Sequence, residues 1–347
     1  MPTPPIVDLV ATTLKLSKGD FQNNVYQKGV LTATLKKDGS VTPVSGGLTI
    51  EETLTYGKNT TFGSTRGADV LPVEPQEEFT AASFTMASLA GTVQLLKDDI
   101  LKNRGPSEIK NWANKKKENA VNSAGSMMED IFFGNGGGNS GKNPAGLLAI
   151  APQDPTADTL GGIPSATQTY WRSKQANDAD STYSSGADTA ISFASNGIRL
   201  MGEMYTLCSM GSGVEAPTLI LCDRSTWLRY QRALGDKVRY TNADTSGTAN
   251  FGFNGIQFFG ANLMWTDRIG ATAKTIASDG YQVTFPAAGV MFFLNTKHIF
   301  IRQYQGWETG DFMEAQNQRA WAAKTDWSGQ MTTDLRRVQG SLWHFID

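Results

Sequence analysis

At 347 residues the chain is long enough for two domains, or for one with large excursions. Its formal charge is −2 and only 18% of its residues are charged, below the roughly 25% of an ordinary soluble domain. Near balance between 31 Lys+Arg and 33 Asp+Glu argues against a sequence-reading grip on nucleic acid.

Asn, Thr, Gly, Ser and Ala supply the polar surface instead, and eight Trp and nine Tyr favour interfaces. The two cysteines, Cys208 and Cys222, give no disulfide framework and suit a reducing compartment. MPTPPIVDLV lacks the basic start and sustained apolar core of a signal peptide. No apolar run approaches the length of a bilayer span, so no membrane partner is expected.

Residues 1–47 are weakly patterned, with paired prolines and scattered glycines, and predict an extended arm holding at most brief strands. Its Phe21, Val25, Tyr26, Val30 and Leu31 need a surface to cover them, and a neighbouring molecule is a natural host. LTIEETLTY reads as a strand, and EEFTAASFTMASLAGTVQLL as a longer one. The polar YGKNTTFGSTRGADVLPVEPQ between them makes the pair a projecting hairpin. Such a ribbon is marginal alone, so its strands must rest on another surface.

Gly105 to Phe133 predicts one long helix. Pro106 suits a first turn, and Glu108 complements the dipole there. Ile109, Trp112, Ala113, Ala120, Ala124, Met127 or Met128 and Ile131 form a narrow apolar stripe, opposed by Lys110, Lys115, Lys117 and Asn122. At 1.5 Å per residue it spans about 40 Å, a strut against thin layers more than a globular centre. GNGGGNSGK then stops the helix. It is no phosphate loop, because Asn143 follows Lys142 where Ser or Thr is required, and Pro144-Ala145 starts no helix.

Residues 151–187 read as loops, with Tyr170 and Trp171 as anchors. A second helix is expected over Asp188–Met210. PTLILCD is a short buried strand, and RSTWLRYQRALG a helix with Asp223 as N-cap and Gly235 beyond its end. Helix, strand and helix in close order make an α/β portion. NGIQFFGANLMWT is strand material, and AGVMFFLNTKHIFIRQY holds one or two buried strands. The end, QRAWAAKTDWSGQMTTDLRRVQGSLWHF, reads as paired strands turning at Ser328-Gly329 and closing on Trp343 and Phe345.

Little in this chain carries chemistry. His298 and His344 lie in apolar strand contexts without ligands at metal spacing and read as structural. Cys208 and Cys222 read as small buried hydrophobes. The pairs Glu51-Glu52, Glu77-Glu78, Asp98-Asp99 and Glu129-Asp130 are adjacent residues facing different ways, poor for acid/base work. Asp267-Arg268 and Glu308 could meet only in a site folded from distant pieces. Lys36-Lys37, Lys115-Lys116-Lys117 and Arg336-Arg337 are local basic clusters. The helix triplet reads as a solvated face, or one paired with Glu118, rather than a phosphate contact. The sequence therefore predicts no catalytic, cofactor-binding or metal-binding residues.

Taken in order, GGLTIEETLTYGKNTTF (Gly46–Phe62), EEFTAASFTMASLAGTVQLLKDD (Glu77–Asp99), NRGPSEIKNWANKKKENAVNSAGSMMEDIFFGNG (Asn103–Gly136), NPAGLLAI (Asn143–Ile150) and LGGIPSATQTYWR (Leu160–Arg172) resemble the major capsid proteins of tailed bacteriophages. The resemblance runs over nearly the whole chain, and the order of the pieces carries it more than any one. It implies an α+β fold, the tailed-phage major capsid fold. Its parts would be an N-terminal arm (1–47), an E-loop hairpin (48–96), a peripheral domain with the spine helix (97–149), an axial domain (150–305) and C-terminal strands returning to the peripheral domain (306–347).

It also implies a non-enzymatic shell protein of the virion, assembled in the host cytoplasm into pentamers and hexamers around phage DNA, a heterologous contact closed by symmetry. Expected partners are a separate scaffolding protein, a portal, a decoration protein, and double-stranded DNA touched non-specifically. Two departures stand out. Lys58 is the loop's lone lysine and no crosslinking partner for it can be named. The region before the arm is also too short for a built-in scaffold, so scaffolding comes from another chain or from a removed segment. The alternatives are an encapsulin-type nanocompartment shell and a soluble α/β enzyme or binding module.

Overall fold

The computed structural model describes residues 29–67, 69–70, 73–98, 106–176, 191–211, 213–234, 256–275, 280–315, 318–343 and 345–346. The arm before Gly29, residues 177–190 (the end of the predicted loop and the start of the helix expected over Asp188–Met210), Gly235 and His344 lie outside the described residues.

The first described element corrects the expectation of an extended arm. Val30–Lys37 is a helix (α1) with Leu31 and Leu35, four apart, fully buried on one face. Its N-cap position is Gly29, which has no side chain to cap with. Val41–Pro43 (β1) follows and runs parallel to Ile299–Thr309 (β13), with Val41 opposite Ile301.

Thr49–Thr55 (β2) and Phe79–Thr85 (β3) pair antiparallel as a two-stranded ribbon. The strand read over LTIEETLTY is present, and its side chains alternate: Ile50, Glu52 and Leu54 face inward, and Thr49, Glu51, Thr53 and Thr55 face out. Met86 interrupts the strand run, so the predicted long second strand is β3 plus Ala87–Leu96 (β4), which joins a different sheet.

That sheet is built on Ala320–Thr333 (β15). It pairs antiparallel with β4 from Ala87↔Gly329 to Leu96↔Ala320, and with β13 on its other edge. Met313–Glu314 (β14) adds a short antiparallel strand beside Trp321 and Ala322. The turn expected at Ser328-Gly329 is absent, because β15 runs straight through it. Gly329 serves close approach instead: a Cβ there would strike the Trp327 ring and the Arg302 carbonyl across the ladder.

Pro106–Phe133 is one continuous helix (α2), as the sequence predicts, and it lies on this sheet. Burial concentrates at its C-terminal end, where Met128, Ile131, Phe132 and Phe133 are enclosed, whereas Val121 is exposed. Each such buried side chain contributes about 1.5–3 kcal/mol. Aromatic residues of the sheet form the bed. Phe132 meets Trp327 edge-on at 6.0 Å, Trp307 stacks on Trp327 at 6.3 Å, and the Trp307 indole N–H points at the Met128 sulfur at 3.3 Å.

After α2 the chain doubles back through a tight turn in which Asn139 and Ser140 take positive φ. Asn139 N–H donates to Gln282 Oε1 at 3.1 Å, and the Asn143 side chain donates to the Gln282 carbonyl at 2.6 Å. Each bond joins a side chain to a main chain, and together they dock this turn on Gln282.

The α/β portion is a six-stranded sheet ordered β10-β11-β9-β12-β16-β7. These are Ile256–Phe258 (β10), Ala261–Trp265 (β11), Leu219–Cys222 (β9), Met291–Leu294 (β12), Gly340–Leu342 (β16) and Lys174–Ala176 (β7). Every residue of β9 and β12 is buried. Leu219, Leu221, Phe292 and Leu294 face the core shared with α2, while Ile220, Cys222, Met291 and Phe293 face a second core with Leu200, Met201, Met204 and Tyr230.

The helices on that second side are Ile198–Cys208 (α3) and Arg224–Leu234 (α4). As predicted, Asp223 caps α4, accepting from the backbone N–H groups of Ser225 at 3.1 Å and Thr226 at 3.3 Å. The helix expected over Asp188–Met210 is shorter. Ile191–Ser192 is a short strand (β8) parallel to Phe345–Ile346 (β17), and Phe193–Gly197 is a π-turn. A Cβ at Gly197 would collide with the Phe193 ring, which folds back over it. The C-terminal segment therefore contributes β15 to one sheet and β16 to the other.

Candidate functional site

The ribbon of β2 and β3 and its connecting segment leave apolar side chains uncovered. Phe62 is 86% exposed, Val70 93%, Val73 94% and Phe79 72%. At its base the ribbon is held firmly. Glu52 accepts both arms of the Arg302 guanidinium, Nε to Oε1 at 2.8 Å and an NH2 nitrogen to Oε2 at 3.1 Å, and also the Thr332 hydroxyl at 2.8 Å. Arg302 further donates to Thr42 Oγ1 at 2.7 Å and stacks over Phe300. Tyr56 stacks on Tyr170 at 5.1 Å, and Ser83 N–H donates to the Gly161 carbonyl at 2.9 Å. A rigid base and an uncovered tip suit a segment that reaches beyond its own molecule.

The adjacent carboxylates Glu129 and Asp130 are both buried and diverge around α2, as adjacent helical residues must. Glu129 turns to α1, where Oε1 accepts from Leu31 N–H at 2.8 Å and Oε2 from Thr32 N–H at 3.0 Å. It supplies the cap that Gly29 lacks. Asp130 turns the other way, accepting from Arg268 Nε at 2.8 Å and from Lys274 and the Tyr281 hydroxyl. The long helix is thus clamped to α1 on one side and to the 266–283 segment on the other, a use that adjacency in sequence did not reveal.

A third buried ion holds the loops after α2. Arg336 is fully enclosed; it donates to the carbonyls of Ile150 at 2.8 Å and Ala149 at 2.9 Å, to Ser165 Oγ at 2.9 Å, and to Asp158. Burial pulls its pKa down, and the Asp158 carboxylate works against that. Trp171, predicted as an anchor, is buried, and its indole N–H donates to the Leu160 carbonyl at 2.9 Å.

Among the described residues the chemistry-bearing candidates do not gather into an active centre. Arg268 is engaged by Asp130, whereas Glu308 pairs locally with Gln305. Cys208 and Cys222 are buried thiols whose pKa values desolvation pushes up, the reverse of an activated nucleophile. Among the described residues no group of three or more His, Cys, Asp or Glu could hold a metal ion, and no helix is long and apolar enough to cross a membrane.

Lys115 pairs with Glu118 at 3.1 Å and Lys117 lies 3.8 Å from Asp311, while Lys116 donates to the Gln94 carbonyl and sits over Trp112. The triplet is a paired surface, the reading preferred from sequence. His298 departs from the sequence reading: the fold places Asp334 and Glu215 on its two ring nitrogens, at 2.8 and 3.1 Å. These partners lie 36 and 83 residues away, beyond any local spacing signal.

A hairpin ribbon, a long helix across a mixed five-stranded sheet and a second, six-stranded sheet make up the described fold. No protein-family model matches the chain, and no curated protein matches it. Solved structures do. The chain superposes on the Cyanophage A-1(L) capsid with a TM-score of 0.60 at 15% identity, covering 98% of this chain and 99% of that one. The capsid of Myoviridae phage XM1 gives 0.54 at 8% identity, covering 94% and 95%. The holo-SrpI encapsulin complex of Synechococcus elongatus PCC 7942 gives 0.56 at 10% identity, covering 97% and 95%. At these identities the likeness is one of fold.

Proposed function

We propose that this chain is the major capsid protein of a tailed bacteriophage, a structural protein with no catalytic centre. The observation that carries the reading is the ribbon: four large apolar side chains uncovered at its free end, on a base pinned by Glu52 and Arg302. A single molecule gains nothing by exposing them, whereas a neighbouring copy would cover them. End-to-end likeness to solved capsid chains supports the same reading.

In this reading residues 1–47 are the arm and 48–96 the E-loop lying over an adjacent subunit. Residues 97–149 and 306–347 form the peripheral domain, and 150–305 the axial domain packed around five- and six-fold axes. Pentamers and hexamers close the icosahedral shell of the virion, after assembly in the host cytoplasm. A separate scaffolding protein, a portal and a decoration protein complete the partner set, and contact with packaged DNA is non-specific.

Size-exclusion chromatography with light scattering, followed by negative-stain imaging, tests the proposal. Capsomers and closed shells are expected; a stable monomer with an ordered 50–94 ribbon would overturn it. The likeness to an encapsulin keeps a nanocompartment shell as the second reading. Particle contents separate the two, DNA for a phage head and protein cargo for a compartment.

A further inference from the structure

His298 stands at the joint between the two sheets. β12 ends at Leu294 and β13 begins at Ile299, so residues 295–298 carry the chain from the six-stranded sheet into the five-stranded one. This crossing is lined with polar bonds. Asn295 N–H donates to Gln339 Oε1 at 2.9 Å, Thr296 Oγ1 donates to Asp38 at 2.6 Å, Ser40 Oγ donates to the Thr296 carbonyl at 2.9 Å, and Thr333 Oγ1 donates to the His298 carbonyl at 2.7 Å. Within it, His298 Nδ1 lies 2.8 Å from Oδ1 of Asp334, one residue past β15. Its Nε2 lies 3.1 Å from Oε2 of Glu215, on the segment leading into β9.

Both partners are carboxylates, and that fixes the proton count. A neutral imidazole has one N–H and one lone pair, so it can donate to one carboxylate only and must turn a lone pair on the other. An imidazolium donates to both. We infer that His298 is a proton-operated latch at the joint, bridging Asp334 and Glu215 when charged and releasing one of them when neutral.

The surroundings select which bond opens. Glu215 Oε2 also accepts from Asn295 Nδ2 at 3.1 Å, so it keeps a donor without the ring. The shorter Nδ1 bond to Asp334 keeps the remaining proton, and the Glu215 side lets go. Among the described residues, the joint also holds Lys297, whose charge acts on Glu215, and Asp38, which accepts from Thr296. The hydrogen bond that the ring donates to Asp334 leads in raising its pKa, with burial opposing, and the bond that Glu215 accepts from His298 leads in lowering that of Glu215.

The folded-state value of His298 is therefore above the roughly 6.5 of a free imidazole. Its stabilising contribution is full below about that pH and is lost as pH rises through the raised folded value. The latch belongs to the fold's joint and holds whether or not the chain builds a shell.

Histidine-selective NMR and hydrogen–deuterium exchange on the full chain, from pH 5.5 to 9, test it. The chain has only two histidines, so His298→Gln assigns the resonances. The latch predicts that His298 titrates above 6.5, that its neutral form carries the proton on Nδ1, and that intrinsic-rate-corrected exchange over 213–218 rises about tenfold once the ring is neutral. His298→Gln, which cannot donate twice, should hold the fast exchange at every pH. Should that variant not fold, Glu215→Gln should lower the His298 titration and abolish the step. A His298 that titrates at or below 6.5, or protection over 213–218 that ignores its titration, would overturn the inference.

Discussion

Glu129 caps a helix that it does not belong to. Its Oε1 accepts the backbone N–H of Leu31 at 2.8 Å, across 98 residues of chain. A first helical turn leaves its N–H groups unpaired, and the usual remedy is a local Ser, Thr, Asp or Asn. Here the position is Gly29, and a Cβ there would run into the Glu129 carboxylate. Glycine and glutamate are matched halves of one contact. Glu129→Ala should therefore cost about 2–4 kcal/mol, since two donors lose their acceptor in a buried setting. Gly29→Ala should also destabilise, by forcing the carboxylate aside. Urea midpoints of the purified protein measure both.

Asp130 and Arg268 should respond unequally. Asp130→Ala takes the carboxylate from the enclosed Arg268 guanidinium, which keeps Ser126 Oγ as an acceptor at 3.2 Å, and should cost about 3–5 kcal/mol, as breaking one side of a buried ion pair does. Arg268→Met should cost less, because Lys274 and Tyr281 remain on Asp130. Equal losses from both substitutions in denaturant titrations would contradict this account of the cluster.

The Glu52–Arg302 fork pins the ribbon to the sheet. Glu52→Gln keeps the shape but removes the charge from a two-pronged bond, with an expected cost of about 1.5–3 kcal/mol. The loosening should be local, so limited proteolysis should cut within 56–78 faster while the remainder of the chain keeps its wild-type resistance.

The uncovered tip gives the opposite pattern. Replacing Phe62, Val70 and Val73 together by Ser should leave the stability of the isolated chain within about 0.5 kcal/mol per site, since these side chains touch little of it. In the proposed shell the same change should sharply reduce particle yield, read by light scattering. Unimpaired particle formation would remove the ribbon from the assembly interface.

How legible these features were in the sequence differs by element. The helix over 106–133 was readable because its start signal, stop signal and apolar steps are all local. The ribbon was readable because its strand-forming runs and the polar, Gly- and Pro-containing segment between them are local too. Helix α1 was not, since only Leu31 and Leu35 mark its buried face and the cap comes from another helix. Ser328-Gly329 resembles a turn by residue type, yet the glycine is there to let β13 and the Trp327 ring come close. His298 looked like a plain strand histidine until the fold set a carboxylate on each of its nitrogens.

By itself, then, the sequence determined the order of the pieces: a weakly patterned arm, a ribbon with a polar end, one long strut, and an α/β portion of closely spaced elements. These follow from periodicity, capping and breaker residues within a few positions of each other. The tertiary structure alone decided where the buried charges go. Glu129, Asp130, Glu52, Arg302, Arg336 and His298 each find partners from tens to hundreds of residues away. A charge can leave water only if the fold brings it a compensating group, and no local pattern records which distant residue that will be.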